Sequence, residues 1–431
     1  MSWKAEVAAY LSAHGLPDRV EVMLCDINGI LRGKWLPGDK LEAIGNGAVR
    51  LPVSTYAPNI LGEEVGETGL GILAGDPDGV LSPVPGTLGP CIGGAQVLAE
   101  IEGDPNSPRE RLADVIRRFA VRDLTPVVAL ELEFHLLQQR DRPDAPPLPP
   151  DGAPQFQNYD MEVLDRTAPV LEAILAGAEA QGLETETVIA EYGPGQFEVN
   201  FRHCPDALRA ADMAVLFKRL VRTTAAAHGL EATFMAKPYA DSPGNGLHAH
   251  VSLLDPKDGN VMAADEGLSD VLSECVAGLI DSMADCQAIF APHLNSYRRF
   301  QPLSFAPTAP DWGIDDRSAG VRLPATSGPA ARLEHRISGA DVNPYLALAG
   351  ILGGMLWGLE HRPDLPPERA EAPPLSHDWS AAVDRFAQSE AAASIFGTPY
   401  RDLYAAVRRN EIARILPIIS PLEYEIYLSR F

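Results

Sequence analysis

Alternation of apolar and polar residues is clearest in V-V-A-L-E-L-E-F-H-L-L, residues 127–137. Side chains two apart in a strand point to the same side, so the pattern predicts a strand with Glu131 and Glu133 on one face. Leu132 and Phe134 then face a core. Two like charges side by side on an apolar strand cost stability unless something compensates them. The pair indicates either an edge strand with one solvated face or a cation site, depending on what ligands the rest of the chain supplies.

Three further stretches place polar groups on one face of a predicted strand. These groups are Gln196, Glu198 and Asn200; His248, His250 and Ser252; and Arg332, Glu334 and Arg336. Glu191 precedes two glycines that let the backbone come close to a ligand. Each motif also has an ordinary structural reading, because an H-x-H pair is more often structural than ligating and an R-x-E-x-R strand is more often a solvent-facing ladder of ion pairs.

The segment before residue 108 predicts a small sheet domain, residues 1–107. A helix over 4–14 precedes a strand–turn–strand unit over 20–35, with Asn28-Gly29 as the turn. Asp26 lies just before this turn, where an aspartate commonly has a structural role. Short strands follow, for example over 69–73 and 97–101.

Residues 108–431 predict a second, larger domain, since 431 residues exceed what one core usually supports. The pattern predicts helices over 109–120, 160–182, 206–228, 268–290 and 344–359, the last with Asn343 as N-cap. It predicts strands over 231–237, 246–254 and 331–337, exposed connectors over 139–157 and 362–376, and a helical tail from 378. Residues 291–330 show little periodicity and are interpreted as active-site loops.

The formal net charge of −24 argues against nucleic acid and anionic membranes as partners. The five cysteines show no C-x-x-C spacing, and an odd number cannot all pair within the chain. With no signal-peptide pattern at the N-terminus, the prediction is a protein of the reducing cytoplasm.

Taken together, the motifs supply five glutamates and one or two histidines. Oxygen-rich sites with an imidazole suit Mg²⁺ or Mn²⁺ better than Zn²⁺, and five carboxylates suit two ions. Arginines in the same stretches, with Arg298–Arg299, Arg317 and Arg322 nearby, indicate a bound phosphate. The combination predicts phosphoryl transfer from a nucleotide, without a Walker loop or a kinase signature.

From about residue 20 to its end the chain resembles the glutamine synthetase superfamily. The motifs that carry the resemblance are D-I-N-G, E-L-E-F, E-Y-G-P-G-Q-F-E, G-N-G-L-H-A-H-V-S, N-S-Y-R-R, R-S-A-G-V-R-L-P, R-L-E-H-R and N-P-Y-L. The resemblance implies an α+β fold, with a small N-terminal β-grasp-like domain and a larger catalytic domain built on an antiparallel sheet with flanking helices. It also implies a homo-oligomer, a dodecamer of two stacked hexameric rings with active sites between neighbouring subunits.

The resemblance also implies a role for each matching residue. Glu133, Glu191 and Glu198 would bind one Mg²⁺ or Mn²⁺, and Glu131, His248 and Glu334 the other. Glu186, His250, Ser252, Arg322 and Arg332 would contact ATP. Arg299, Arg336 and the Gly244 backbone would hold L-glutamate. Arg317 would stabilise charge on the transferred phosphoryl group, and Asp26 of a neighbouring subunit would bind and deprotonate the incoming amine.

The implied reaction is phosphorylation of the γ-carboxylate of glutamate, followed by attack of an amine on the acyl phosphate. Phe305 stands where ammonia-using members carry a glutamate that helps to trap ammonium, so it indicates an amine pocket for a larger substrate. D-I-N-G-I-L-R-G-K and G-D-P-D-G-V-L-S-P-V-P-G-T-L look most like the γ-glutamylpolyamine synthetase branch, which implies ligation of a polyamine or another alkyl amine. The alternatives are a glutamine synthetase that uses ammonia and a non-catalytic ring-forming homologue.

Overall fold

A six-stranded sheet organises the N-terminal part of the protein, for which a computed structural model describes residues 2–301 and 304–431. Its elements are α1 (Trp3–His14), β1 (Arg19–Cys25), β2 (Leu31–Pro37), α2 (Leu41–Ile44), β3 (Arg50–Pro52), β4 (Asp78–Pro83), β5 (Gly89–Cys91) and β6 (Gly94–Ile101). The strand order is β2-β1-β6-β4-β3, with β5 also paired to β6. β1 and β2 form the predicted hairpin around Gly29, whose φ of +75° favours glycine.

Strand β1 lies between β2 and β6 and is buried on both faces. Val20, Val22 and Leu24 lie in a core of the N-terminal part, whereas Met23 and Cys25 join the larger core of the remaining chain. Because alternate side chains of β1 point to opposite faces, the sheet lies between these two cores. The boundary between residues 107 and 108 stays a prediction.

An eight-stranded sheet organises the larger part of the chain. Its strands are β7 (Thr125–Gln138), β8 (Thr185–Ala190), β9 (Gln196–Phe201), β10 (Leu230–Thr233), β11 (Leu247–Leu254), β12 (Trp312–Ile314), β13 (Val321–Ala325) and β14 (Arg332–His335). The order is β12-β13-β14-β11-β7-β9-β8, and β10 pairs with the end of β7. All pairs in this sheet are antiparallel except β12 with β13.

The helices flank this sheet. They are α3 (Pro108–Ala120), α4 (Met161–Ala180), α5 (Ala207–Ala227), α6 (Asp270–Met283), α7 (Gln287–Phe290), α8 (Pro344–His361), α9 (Trp379–Gln388), α10 (Glu390–Phe396), α11 (Thr398–Ile415) and α12 (Pro421–Tyr427). The predicted cap of the buried helix is confirmed, because the side chain of Asn343 accepts hydrogen bonds from the amides of Tyr345 and Leu346. None of the helices in the described parts of the chain combines the length and the hydropathy of a membrane-spanning helix. The predicted α+β class, with a sheet and flanking helices, is confirmed.

Three predicted elements are wrong. Residues 69–73 form no strand but lie among 3-10 turns, because Gly69, Gly71 and Gly75 all have positive φ. The helix predicted over 268–290 is interrupted between α6 and α7. The interpretation of 291–330 as loops missed β12 and β13, which have three and five residues and are too short to show periodicity.

Candidate active site

Strand β7 lies in the middle of the larger sheet and presents its two glutamates to one cavity. Glu131 is opposite His248 of β11 on one side and Asn200 of β9 on the other, and Glu133 is opposite Glu198 of β9. The opposite face of β7 is fully buried at Leu132. The strand is therefore central and its polar face lines a cavity, so it is not a solvated edge.

The carboxylate of Glu131 forms hydrogen bonds with both histidines of the H-x-H motif. Its Oε2 lies 3.1 Å from His248 Nδ1, and its Oε1 lies 3.0 Å from His250 Nε2. Arg332 Nε donates to His250 Nδ1 at 3.2 Å, which leaves the proton of the neutral ring on Nε2, facing Glu131. Burial raises the pKa of Glu131, but the hydrogen bonds from the two histidines outweigh burial and bring the pKa well below its ordinary value. Glu131 is a carboxylate at neutral pH.

Glu133 is fixed by donors from strand β9 and from the loop before β11. Its Oε2 accepts a hydrogen bond from the Gly246 amide at 2.8 Å and another from Gln196 Nε2 at 3.1 Å. Gln196 Nε2 also donates to the carbonyl of Gly244 at 3.1 Å, and its Oε1 accepts from the Gly193 amide at 2.9 Å. A single amide side chain thus connects the strand carboxylate to both glycine-rich loops.

Glu191 and Glu198 are buried near the other carboxylates of the cavity, which repel them. Burial raises the pKa of Glu191 to about 7, with the negative charge of Glu133 as the next cause. Burial also raises the pKa of Glu198 well above its ordinary value, with Glu131, Glu133 and Glu191 adding to the effect. Carboxylates gathered in this way are stabilised when cations lie between them.

Ligand atoms from these residues come together in two groups that fit a divalent cation. One group is Glu131, Glu198 and His248, and the other is Glu131, His250 and Glu334; within each, the atoms lie within 4.8 Å of one another. Carboxylate oxygens with one imidazole nitrogen suit Mg²⁺ or Mn²⁺. Glu131 belongs to both groups, and His250, which the resemblance assigns to ATP, belongs to one. The division of the six predicted ligands between two ions stays a prediction.

Four arginines bring positive charge to the same cavity. Arg322 Nη1 donates to Glu334 Oε2 at 2.9 Å, and Arg336 Nη1 donates to Glu334 Oε1. Arg336 Nε also donates to the backbone carbonyl of Arg317 at 3.1 Å. Arg299 is buried, lines the cavity and donates to the carbonyl of Ile337 at 2.8 Å. Hydrogen bonds therefore hold three guanidinium groups beside the carboxylates, which suits an anionic substrate.

The other residues predicted to contact ATP are spread along the sheet. His250 and Ser252 share one face of β11, and Arg332 reaches His250 from β14. Glu186 is exposed on the outer strand β8. Of the five predicted ATP contacts, only Arg322 lines the cavity with the metal-ligand candidates.

The cavity has a volume of about 500 Å³ and an aromatic mouth. Phe305 is 65% exposed and its ring centroid lies 5.0 Å from that of Tyr192, which lies 5.1 Å from that of Phe156. Phe305 has a φ of +60°, a left-handed conformation that costs a residue with a Cβ about 1–2 kcal/mol. Asn158 and Tyr159 also line the cavity in left-handed conformations.

Sequence reasoning missed the aromatic residues other than Phe305. Tyr159 lies two residues after the predicted connector over 139–157, and Tyr192 directly follows Glu191, so neither belongs to an alternating strand. Adjacency to a predicted ligand is the one signal that points to Tyr192. The connector contributes to the site because it returns to the sheet, where the amides of Gln157 and Tyr159 donate to the carbonyls of Tyr192 and Ala190.

Asp26 does not line this cavity. Its side chain is fully buried, and its Oδ1 accepts hydrogen bonds from the amides of Asn28 and Ile30, both at 2.9 Å. Its Oδ2 accepts from Arg32 Nε at 2.9 Å. Within one chain Asp26 therefore stabilises the hairpin turn, and its predicted role toward an amine stays a prediction.

Comparison with known proteins agrees with this geometry. A model of the family described as "Glutamine synthetase, catalytic domain" matches residues 105–427. Gamma-glutamylputrescine synthetase PuuA of Escherichia coli (strain K12) is 36% identical, over 98% of this chain and 94% of the relative. Glutamate–isopropylamine ligase of a Pseudomonas species is 31% identical, over 98% of this chain and 97% of the relative.

Glutamine synthetases and a solved structure also match. Glutamine synthetase of Pyrococcus abyssi (strain GE5 / Orsay) is 34% identical, over 80% of this chain and 76% of the relative. The structure titled "GmaS/ADP complex-Conformation 1" superposes with a TM-score of 0.85 at 27% identity, over 98% of this chain and 99% of the other. The predicted resemblance is confirmed, and the chain belongs to the glutamine synthetase family.

Proposed function

We propose that this protein ligates an organic amine to the γ-carboxylate of L-glutamate, with conversion of ATP to ADP and phosphate. The observation that carries the proposal is one cavity in which five glutamates and a histidine face four arginines, beneath a mouth of aromatic rings. Relatives named as a γ-glutamylputrescine synthetase and a glutamate–isopropylamine ligase match nearly the whole chain. The activity is that of a glutamate–amine ligase, and its physiological setting is amine catabolism.

In the first step the γ-carboxylate of glutamate attacks the γ-phosphorus of ATP. A P–O bond forms to the carboxylate oxygen, the bond to ADP breaks, and γ-glutamyl phosphate results. Arg299 and Arg336, with the backbone of Gly244, orient glutamate, while Arg317 reaches the transferred phosphoryl group. Because charge develops on phosphoryl oxygens, fixed guanidinium groups stabilise this transition state.

In the second step the neutral amine attacks the acyl carbon of γ-glutamyl phosphate. A C–N bond forms, the C–O bond to phosphate breaks, and the amine gives up a proton. Asp26 of a neighbouring copy accepts the proton in this proposal, and Phe305 contacts the carbon chain of the amine. Since Asp26 is buried within its own chain, its part of the proposal rests on the family motif and needs its own test.

Two divalent cations, Mg²⁺ or Mn²⁺, would be held by Glu131, Glu133, Glu191, Glu198, His248 and Glu334. When bound, such cations neutralise phosphate charge and align the reacting oxygens. ATP would reach the cations along the face that carries Glu186, His250, Ser252, Arg322 and Arg332. The raised pKa values of Glu191 and Glu198 support a site whose charge is balanced by cations.

We also propose that the chain assembles as a dodecamer of two stacked hexameric rings. The C-terminal segment 416–431 supports an assembly, because it exposes a set of large apolar side chains that a folded chain would cover against a partner. They are Leu416, Ile418, Ile419, Leu422, Tyr424, Ile426, Tyr427, Leu428 and Phe431. All five cysteines are free thiols, which supports the cytoplasm as the compartment.

Phosphate release with ATP, Mg²⁺, glutamate and a panel of amines tests the activity, with mass spectrometry of the γ-glutamyl amide as the product assay. Organic amines should support higher kcat/KM than ammonia. Faster turnover of ammonia than of every organic amine would favour a glutamine synthetase instead. Absence of ATP turnover with any amine would favour a non-catalytic ring-forming homologue. The Glu131→Gln variant is the matched control for contaminating phosphatase.

Mixing two inactive variants tests the shared site. Subunits that carry Asp26→Asn and subunits that carry Glu131→Gln should each be inactive as homo-oligomers. If each site takes the two residues from different subunits, random 1:1 assembly restores about a quarter of the sites. No recovery in verified mixed oligomers would contradict a role for Asp26 in a neighbouring site, and light scattering of the same samples measures the subunit number.

A further inference from the structure

His135 lies on β7 two residues after Glu133 and therefore points to the same side of the sheet as the two glutamates of this strand. Its side chain is fully buried and is not part of the cavity lining. A buried imidazole needs hydrogen-bond partners inside the protein, because its ring nitrogens have lost their hydration. The partner that His135 has therefore indicates what this residue does.

In the part of the chain that the structure describes, the His135 ring has one hydrogen-bond partner, the side chain of Asn245. Nδ1 of His135 lies 2.8 Å from Asn245 Oδ1, whereas Nε2 has no partner among the described residues. Asn245 Nδ2 donates to the carbonyl of Met235 at 2.9 Å, which leaves Oδ1 as the acceptor. Nδ1 of His135 therefore carries the proton and donates to Asn245.

Asn245 closes the neck of the loop that connects β10 to β11. This residue is fully buried, and its backbone amide donates to the carbonyl of Ala236 at 2.8 Å. The segment between these two points, residues 237–244, ends in Pro243 and Gly244, which line the cavity. The position of this end of the loop therefore depends on Asn245.

The two glycines that flank Asn245 both contact residues of the site. The carbonyl of Gly244 accepts a hydrogen bond from Gln196 Nε2 at 3.1 Å. The amide of Gly246 donates to Glu133 Oε2 at 2.8 Å. A displacement of Asn245 would move both groups, because each belongs to a peptide unit that Asn245 shares.

We infer that His135 is a positioning residue for L-glutamate, because its hydrogen bond to Asn245 holds Gly244 in place. This inference rests on the proposed function, in which the backbone of Gly244 holds L-glutamate. His135 does not line the cavity, so its loss should weaken glutamate binding and change the chemical step little. The residues assigned to ATP make none of these contacts, so ATP binding should stay the same.

Two substitutions of nearly equal size separate the hydrogen bond from the volume of the ring. His135→Leu removes the donor and should raise the KM for L-glutamate about tenfold, while kcat with the most active amine changes less than about threefold. His135→Asn can place an amide nitrogen near the position of Nδ1, so its KM should stay within about threefold of that of the unmodified protein. Melting temperature and calorimetric ATP binding establish that each variant is folded.

His335→Leu is the matched control. It replaces another fully buried histidine of the same sheet, whose ring has no hydrogen-bond partner in the described parts of the chain. The KM for L-glutamate should therefore stay unchanged in this variant.

Removal of both partners tests whether they act as one unit. Asn245→Ala should raise the KM for L-glutamate at least as much as His135→Leu, and the double variant should raise it no further than Asn245→Ala. A double variant whose increase equals the product of the two single increases would show that His135 acts independently of Asn245, which overturns the inference. Asn245→Ala also carries the test alone if His135→Leu does not fold.

The remaining outcomes separate this inference from the proposed function. An unchanged KM for L-glutamate in folded His135→Leu or folded Asn245→Ala overturns the inference and leaves amine ligation in place. Equal increases in His135→Leu and His135→Asn also overturn it, because the donor would then have no role. Absence of ATP turnover with any amine instead overturns the proposed function, and calorimetric titration of L-glutamate in the presence of ADP and Mg²⁺ would then compare the same variants by their Kd.

Discussion

The inner wall and the mouth of the cavity are built by different means. Most carboxylates of the inner wall lie on paired strands, where register places Glu131 opposite His248, Glu133 opposite Glu198 and Arg322 opposite Glu334. The mouth consists of rings on loops, where left-handed residues such as Tyr159 and Phe305 set the direction of the chain. Strand register fixes most of the carboxylates, the segments beside the strands add Glu191, Arg299 and Arg317, and the loops at the mouth supply aromatic rings.

This difference predicts that changes at the inner wall affect turnover of every amine, whereas changes at the mouth affect the choice of amine. Glu131 should give the largest effect because it joins both ligand groups and both histidines. Glu131→Ala should lower kcat about 10³-fold and raise the apparent KM for ATP. Steady-state kinetics with varied ATP and glutamate measure both effects.

Glu133→Ala is the matched comparison on the same strand. It removes the acceptor for the Gly246 amide and for Gln196, so it should mainly raise the apparent KM for glutamate. Indistinguishable changes in the two KM values for the two variants would contradict a division of labour between the glutamates.

Arg317→Ala should have the next largest effect. The side chain lines the cavity, and the substitution leaves intact the backbone carbonyl that accepts from Arg336. Loss of one positive charge at the transferred phosphoryl group should lower kcat about 10²–10³-fold. Calorimetric ATP binding and the KM for glutamate should change little, and a purely glutamate-dependent defect would argue against the assignment.

The metal-free inner wall should respond to pH. Burial and the charge of Glu133 raise the pKa of Glu191 from 4.5 to about 7, so the folded state binds more protons than the unfolded state between these values. The contribution of Glu191 to the free energy of unfolding should therefore fall as pH rises from about 4.5 to about 7, by on the order of 3 kcal/mol. Buried histidines with lowered pKa values, such as His135 and His335, change stability in the opposite direction, so the contribution of Glu191 is measured as the difference between the unmodified protein and Glu191→Gln. Urea denaturation with a chelator present measures this change.

Added Mg²⁺ and the Glu191→Gln variant test whether Glu191 causes this pH dependence. Added Mg²⁺ should restore stability most at the upper end of the range, where the carboxylates are ionised and can bind it. The difference in the free energy of unfolding between the unmodified protein and Glu191→Gln should change with pH when metal is absent. A difference that stays constant between about pH 4.5 and about pH 7 would contradict the raised pKa of Glu191.

Gln196 should give the smallest of these effects, because it acts through Glu133 and the Gly244 loop. Gln196→Leu keeps the size of the side chain but removes both donated hydrogen bonds, so the KM for glutamate should rise about tenfold. Gln196→Glu should raise it further by placing a carboxylate next to Glu133. Equal effects of the two variants would argue against a donor role.

The two regions also differ in how far the sequence predicts them. The alternation in β7, β9, β11 and β14 correctly gave the polar face of each strand, because a period of two leaves no other arrangement once one face is apolar. The same reasoning could not show that Glu131 would form hydrogen bonds with both histidines, because those contacts depend on the order of β9, β7 and β11 in the sheet.

Local sequence patterns could not predict the aromatic mouth of the cavity. Phe156 and Phe305 are separated by almost 150 positions, and their rings meet through Tyr192 only because the connector folds back on the sheet. The predicted strand over 69–73 failed for a related reason, since apolar residues between left-handed glycines turn instead of extending.

The pairing of β7 has a consequence for amide hydrogen exchange. The backbone around Glu131 and Leu132 lies between β11 and β9, with ladder partners on both sides. These amides should exchange only when the whole sheet opens, on the slowest timescale of the molecule. Amides near Tyr159 and Phe305 lie outside such ladders and should exchange through local opening, so a single exchange experiment would report global unfolding and mouth motion as separate rates.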